Sequence, residues 1–298
     1  MNILENCEEK CAIALGNFDG LHRAHMEIIN RCIEFAKKKN ILSGILLFDI
    51  HTSEVFGIRT ELLTTLDEKK EILEKTDLDF IHIMHFDKKL AGVEPEEFIE
   101  RIREKFNVEA FFAGYDYTFG KGAKGNAELL KKLGDKYGFS VHITDCVKND
   151  EKIISSSAIR ELVEAGDMKR AQELLGRSYF VSGKVEKGFG NGTKLLFPTA
   201  NISVGKDKLL PPDGVYCAAL TIDGKKYMSA ANIGKNPTFG AKRRTLECFI
   251  LDFSGEIYGK HITAEFKEKI RDDIKFDNAA DLKLQIEKDI EKVRNYKE

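Results

Sequence analysis

Along the first half of the chain, short apolar runs alternate with stretches whose apolar residues recur every three or four positions. Residues 11–15 form an apolar run closed by Gly16, which reads as a buried strand. From 22 to 39, Met26, Ile29, Ile33 and Ala36 fall at helical spacing. Strands are expected at 41–48, 80–84, 108–113 and 140–144, and helices at 67–75, from Pro95 through Phe98, Ile102 and Phe106, and at 127–137. Repeated β-α units of this length predict a Rossmann-like parallel sheet with helices on both faces.

The rhythm changes near residue 180. Helical patterns at 158–165 and 168–175 end at Gly176. After them come short alternating runs at 179–185, 215–222, 226–233, 246–253 and 261–266, broken by Gly, Pro, Asn and Asp. Asp213-Gly214 and Asp223-Gly224 read as tight turns. This half predicts an antiparallel β-barrel of Greek-key type, followed by a helix at 279–296 with Leu282, Ile286 and Ile290 on one face. The expected domains are 1–180 and 181–298.

A chain of 298 residues has room for two such cores. Its 42% hydrophobic and 32% charged residues are an ordinary globular balance, and a net charge of -2 gives no long-range attraction to nucleic acid or acidic membranes. No apolar run is long enough to span a bilayer, and the acidic start of the chain is unlike a signal peptide, so a cytoplasmic location without membrane contact is expected. Six scattered cysteines, with no CxxC pair, read as reduced and mostly buried thiols.

Candidate chemistry begins where the first strand ends. Gly16, Asn17, Phe18, Asp19, Gly20, Leu21, His22, Arg23, Ala24 and His25 join that strand to the first helix, the place where parallel α/β proteins receive phosphates on backbone N–H groups. His22 and His25, three apart, share a helix face and suit the charge that builds up in phosphoryl chemistry. Zinc is an alternative for the pair, with Asp19 or His51 as further ligand, but it leaves the glycines unexplained. Further on, Ser155, Ser156 and Ser157 precede a helix carrying Arg160, an anion cradle with a cationic fork or a plain helix cap.

The second half offers three elements. Gly188, Gly190 and Gly192 precede Phe197-Pro198-Thr199-Ala200-Asn201, where glycines can wrap phosphates and Thr199 and Asn201 offer neutral oxygens to Mg²⁺. Asn232 opens a loop rich in backbone donors that runs through Pro237 to Phe239. Glu247 sits in a strand-like run, either as a solvated residue or as a base for a substrate hydroxyl.

Taken in order, these segments resemble a known family. The first half resembles the nucleotidylyltransferase superfamily, and more narrowly the FMN adenylyltransferase module of bacterial bifunctional FAD synthetases, with GNFDGxHxGH at 16–25, a His51 loop at 48–52, a glycine-aromatic loop at 114–125 and SSTxIR at 155–160. The second half resembles the riboflavin kinase module of the same family, in FPTAN at 197–201, PxxGVY at 211–216, NIGxxPTF at 232–239, Glu247 before Asp252-Phe253, and Arg271 before Lys275-Phe276. The likeness covers about residues 11–296. Departures are Ala24 for glycine, Ile50 and Thr52 for the prolines around His51, Tyr117 for phenylalanine, Ser157 for threonine and Leu196 for glycine.

The resemblance implies that the C-terminal barrel phosphorylates riboflavin with ATP and the N-terminal module adenylylates FMN to FAD and pyrophosphate. It implies catalytic roles for His22, His25, Arg160 and Glu247. Gly16, Asn17, Phe18, Ser155, Ser156, Ser157, Gly188, Gly190 and Thr199 would bind ATP phosphates, Thr199 and Asn201 would hold Mg²⁺, and Asp116 and Asn232 would lie near flavin, with Arg271 in a flap beside it. Riboflavin, FMN and FAD would be substrates and products, and the protein a monomer or weak oligomer. Two alternatives stand beside this. In one, Ala24 and the altered His51 loop leave only the kinase active. In the other, the chain is a flavin-sensing binding protein whose sole basic patch, Lys242-Arg243-Arg244, is too short to hold nucleic acid.

Overall fold

The computed structural model describes residues 1–150, 152–186, 199–235, 244–276 and 278–296, without the side chains of residues 199, 235 and 279. It divides into two compact units, Met1–Ser156 and Ser157–Glu298.

The first unit carries strands β1 (Asn2–Ile3), β2 (Cys7–Leu15), β3 (Leu42–Phe48), β4 (Phe80–Met84), β5 (Phe106–Gly114) and β6 (Ser140–Thr144). They form one parallel sheet in the order β1-β4-β3-β2-β5-β6. Helix α1 (Arg23–Lys39) packs against β2, β3 and β5, while α4 (Pro95–Lys105) meets β5 and α5 (Ala127–Tyr137) meets β6. The apolar run of β2 is buried on both faces, as parallel strands between helical layers require. Cys11, Ile13 and Leu15 join Ile99, Ile102, Leu130 and Leu133 in one core, and on the opposite face Phe35 of α1 meets Phe112 edge-on at 5.5 Å. Helices α2 (Leu66–Leu73) and α3 (Lys88–Ala91) and the short hairpin of β7 (Lys148–Asn149) and β8 (Lys152–Ile153) complete the unit.

The helix ends follow local chemistry. Asn126 caps α5, whose C-cap Gly138 takes a left-handed conformation, and Thr65 and Glu68 form a reciprocal capping box on α2. Gly44 in β3 leaves the space that the Phe80 ring occupies: a Cβ there would lie 2.2 Å from it.

Helix α6 begins at Ser156 and runs to Ala165, followed by α7 (Met168–Leu175). The barrel strands are β9 (Tyr179–Glu186), β10 (Thr199–Ile202), β11 (Gly214–Ile222), β12 (Lys225–Lys235), β13 (Arg244–Ile250) and β14 (His261–Asp272). They close in the order β10-β13-β12-β11-β14-β9, all antiparallel, with β9 pairing β10. Helix α7 packs on β14 and β9, and α8 (Ala279–Arg294) on β12 and β11. Val293 and Ile290 of α8 share a core with Val215, Cys217 and Ala230 on the outer barrel face.

Asp223-Gly224 closes the β11–β12 hairpin with both residues at positive φ, +48° and +77°. Asp213-Gly214, read from sequence as a second tight turn, makes none. Gly214 starts β11, and the Asp213 carboxylate accepts from Arg244 Nε at 2.6 Å. All six cysteines are free thiols: Cys11, Cys32, Cys217 and Cys248 are buried, Cys7 is half-buried and Cys146 exposed. Among the described residues no helix is long and apolar enough to cross a membrane.

Candidate functional sites

In the first unit the chain runs from β2 to β3 and β4 on one side and crosses to β5 and β6 on the other. The carboxyl ends of β2 and β5 therefore flank a topological switch point, where open α/β sheets leave a crevice. A cavity of about 120 Å³ sits there. His22 and His25 reach it from the start of α1, Gly114, Tyr115 and Asp116 from the end of β5, Thr144 to Val147 from the end of β6, and Ser155 and Ser156 from the segment entering α6.

The loop between β2 and α1 is held from behind. Asp19 is buried, and its carboxylate accepts from Leu63 N at 3.3 Å and Thr64 N at 3.1 Å. Gly20 N donates to Thr64 Oγ1 at 2.9 Å, and Ser156 Oγ donates to the Asp19 carbonyl at 2.8 Å. Phe18 and Leu21 take left-handed φ angles of +51° and +40° although neither is glycine, and both are fully buried. Such backbone costs free energy that surrounding structure must hold in place, and it concentrates at functional sites.

His22 caps α1: its Nδ1 accepts from His25 N at 3.4 Å, which leaves the proton on Nε2. The two imidazoles stack with centroids 3.6 Å apart, and Phe18 meets His25 edge-on at 5.3 Å. Phe18 thus supports the pair from the core, and its ring closes the space beside Gly16, where a Cβ would lie 3.1 Å away. The methyl of Ala24 lines the same cavity as the histidines.

Of the residues expected from sequence, this cavity gathers His22, His25, Ser155, Ser156 and Asp116. Asn17 instead lines a neighbouring pocket of about 20 Å³ with Asp49, His51, Thr64 and Lys69. Ser157 is exposed, and Arg160 lies one turn beyond Ser156 on α6. Tyr117 and Phe119 stack at 5.5 Å and belong to the core, whereas Tyr115 is 47% exposed. The His51 loop, which lacks the family prolines, is tied by other means: His51 Nδ1 bonds Ser53 Oγ at 2.6 Å, and Ser53 Oγ bonds Thr60 Oγ1 at 2.8 Å.

Lys69 carried no sequence signal beyond following a capping box. It is buried on α2, and its Nζ donates to the Asn17 carbonyl at 2.9 Å. Burial pushes its ammonium below the usual lysine range, and the Asp19 carboxylate opposes that.

The second unit holds a cavity of about 300 Å³ between the outer barrel face and α8. Strand register builds it. Asn201 faces Glu247 across β10 and β13, Glu247 faces Asn232 on β12, Asn232 faces Val215 on β11, and Val215 faces Arg271 on β14. Directly opposed residues share a face, so five strands set one row of side chains side by side. Glu247, Asn232, Val215 and Arg271 line the cavity, with Phe249, Phe276, Leu282 and Ile286 as apolar walls. Burial pushes the Glu247 carboxyl above the ordinary carboxylate range, which suits a base working near neutrality. Thr199 stands opposite Phe249, one side-chain repeat from Asn201.

Arg271 lies within β14, not in a flap, and is engaged. Its Nε donates to both Asp289 carboxylate oxygens at 3.0 Å and its Nη2 to Oδ2 at 2.7 Å, while Gln285 Nε2 donates to Oδ1 at 3.0 Å. Asp289, on α8 and also lining the cavity, is a second residue that sequence reasoning missed. Arg244, the described member of the basic triplet, is spent on Asp213 and on the carbonyls of Leu210 and Pro211. Gly188, Gly190, Leu196, residues 236–239, Lys242 and Arg243 lie outside the described residues.

Comparison with known proteins fits this division. A family model described as FAD synthetase matches residues 4–158, and one described as riboflavin kinase matches residues 175–297. The bifunctional riboflavin kinase/FMN adenylyltransferase of Bacillus subtilis is 33% identical over 99% of this chain and 95% of its own length. That of Haemophilus influenzae is 34% identical over 96% of this chain and 94% of its own. A solved Streptococcus pneumoniae structure, described as a macrolide-efflux protein, superposes with a TM-score of 0.87 at 28% identity, covering 99% of this chain and 98% of that one.

Proposed function

Because the chain belongs to the bifunctional riboflavin kinase/FMN adenylyltransferase family, we propose that its two reactions run in the two cavities described above. The chain phosphorylates riboflavin with ATP and adenylylates FMN with ATP to FAD. The observation that carries the assignment is the pair of chemically different cavities in separate units: stacked histidines at a switch point in one, a desolvated carboxylate facing an apolar slot in the other.

In the first cavity an FMN phosphate oxygen attacks the α-phosphorus of ATP, the bond from that phosphorus to the bridging oxygen breaks, and pyrophosphate leaves. His22, protonated on Nε2, and His25 donate to oxygens whose charge grows in the transition state. Asp116 and the exposed Tyr115, which line this cavity, would meet the flavin. In the second, Glu247 takes the proton of the terminal ribityl hydroxyl as that oxygen attacks the γ-phosphorus and ADP departs. The isoalloxazine would lie in the slot lined by Phe249, Phe276, Leu282 and Ile286.

The donor set also suits Mg²⁺: the Asn201 amide offers a hard oxygen ligand and Thr199, one side-chain repeat away on β10, is a hydroxyl residue type. Bound there with ATP, the ion would neutralise phosphate charge. The protein works in this reading as a cytoplasmic monomer or weak oligomer, without nucleic acid.

The test separates flavins over time after mixing protein, riboflavin, ATP and MgCl₂. The parent yields FMN and then FAD. His22→Ala is expected to stop at FMN, and Glu247→Gln to slow FMN formation by about 10²–10⁴ yet convert supplied FMN to FAD. FAD formation at the parent's rate in His22→Ala, or FMN formation at the parent's rate in Glu247→Gln, refutes the corresponding site.

A further inference from the structure

The loop of residues 16–20 receives an interaction that the reaction scheme does not use. The buried ammonium of Lys69 reaches from α2 to the Asn17 carbonyl, 52 positions away in sequence. In a trans peptide the carbonyl and the following N–H point in opposite directions, so this grip turns the Phe18 N–H away from α2. Phe18, like Leu21, is held at positive φ, a conformation a non-glycine residue reverts from unless it is over-determined. Asp19, next along the loop, is tied to Leu63 and Thr64, just ahead of the same helix α2. The loop is thereby clamped at the Asn17 carbonyl and at the Asp19 side chain from the Leu63 to Lys69 segment.

We propose that Lys69 is a positioning residue for adenylyl transfer: its bond to the Asn17 carbonyl fixes the loop before His22 in its phosphate-receiving shape. The inference rests on the assignment of this loop to the ATP-binding side of the first cavity. Burial lowers the pKa of the Lys69 ammonium and the Asp19 carboxylate opposes that. A lysine amine donates to the Asn17 carbonyl in either protonation state, so that grip is what positions the loop. Lys69 does not line the histidine cavity, so it acts through the backbone of Asn17 and Phe18 and touches no reacting atom.

The test uses the full-length protein. Lys69→Met keeps an unbranched stem and removes both the donor and the charge. The kcat/KM for ATP in FMN adenylylation is expected to fall about tenfold or more, with the KM for FMN within about twofold. Riboflavin phosphorylation by the same sample is expected to be unchanged, which reports that the second unit is intact. Should Lys69→Met fail to fold, Lys69→Leu, which also removes the donor, is read by the same ratio. An ATP kcat/KM within about twofold of the parent in the folded variant overturns the inference. So does a variant whose ATP and FMN parameters change together with its melting temperature, the mark of a lysine that only stabilises. His22→Ala is run alongside: if it retains FAD formation, the site assignment fails and the inference falls with it. If it loses FAD formation while Lys69→Met does not, the inference alone fails.

Discussion

The Arg271–Asp289 pair permits a prediction whose size follows from its burial. The Arg271 side chain is 14% exposed and that of Asp289 3%, and three short hydrogen bonds join them. Asp289→Ala removes the counter-charge and leaves a guanidinium where water reaches it poorly. Breaking a buried pair from one side costs about 3–5 kcal/mol, most of it the penalty of the stranded charge and not the worth of the pair. For a domain of this size about 1 kcal/mol moves the melting temperature by about 3 °C, so the second unit is expected to melt about 9–15 °C lower. The assay is residual riboflavin kinase activity after brief heating at stepped temperatures, with FMN adenylylation in the same samples as the internal reference. The kinase midpoint should drop and the adenylylation midpoint hold. The double variant Arg271→Met with Asp289→Leu, which strands nothing, should recover most of the lost stability without recovering flavin affinity. A kinase midpoint within about 2 °C of the parent in Asp289→Ala would show that Arg271 finds solvent or another acceptor, and would refute the argument.

Glu247 carries two expectations of opposite kind. Glu247→Gln should lower riboflavin phosphorylation by about 10²–10⁴, the usual worth of a general base, and the parent's acid limb should lie above the ordinary carboxylate range because burial raises this carboxyl. A carboxyl raised in the folded state binds its proton more tightly there than in the unfolded chain. Its stabilising contribution is complete below the ordinary carboxylate range and is lost as pH rises through the raised value, so Glu247→Gln should melt higher than the parent at neutral pH and equally at acid pH. Equal melting at both would contradict the burial assigned here. In the first unit, Gly44→Ala drives a methyl into the buried Phe80 ring and should cost about 1–3 kcal/mol by urea unfolding, whereas Gly138→Ala, which meets no atom within 4 Å, pays only for its positive φ. A Gly44→Ala midpoint indistinguishable from the parent would count against the packing described at β3.

What the sequence revealed, and what it hid, divides along the range of the interactions. The spans 127–137, 140–144 and 168–175 appear as elements with the expected bounds, because each is delimited locally by Asn126, Gly138, Asp167 or Gly176. Strand β2 begins at Cys7 rather than 11, since Cys7 and Lys10 pair with Phe106 and Asn107 of β5 across a register shift that passes over Glu8 and Glu9. Strand β13 stops at Ile250, three residues early, where Asp252 turns to a positive φ of +53°. The four residues of β10 gain strand geometry from β13 and β9, partners far along the chain. The sites behave alike. His22 and His25 were legible because one helix start presents both, and Glu247 because its neighbours resemble a family pattern. Lys69 and Asp289 have no local signature, as each matters through a partner that only the fold supplies.

The register that lines up Asn201, Glu247, Asn232, Val215 and Arg271 also dictates when the second cavity comes into being. On the ribosome, β9 waits for β14, about eighty residues downstream, before its edge is covered, and the cavity gains its far wall only when α8 emerges after that. Every residue lining the histidine cavity is synthesised by Ser156. A nascent chain can therefore assemble the second enzyme of the pathway before the first, and a ribosome paused within the barrel would hold an unclosed sheet edge, the species most exposed to aggregation and to chaperones.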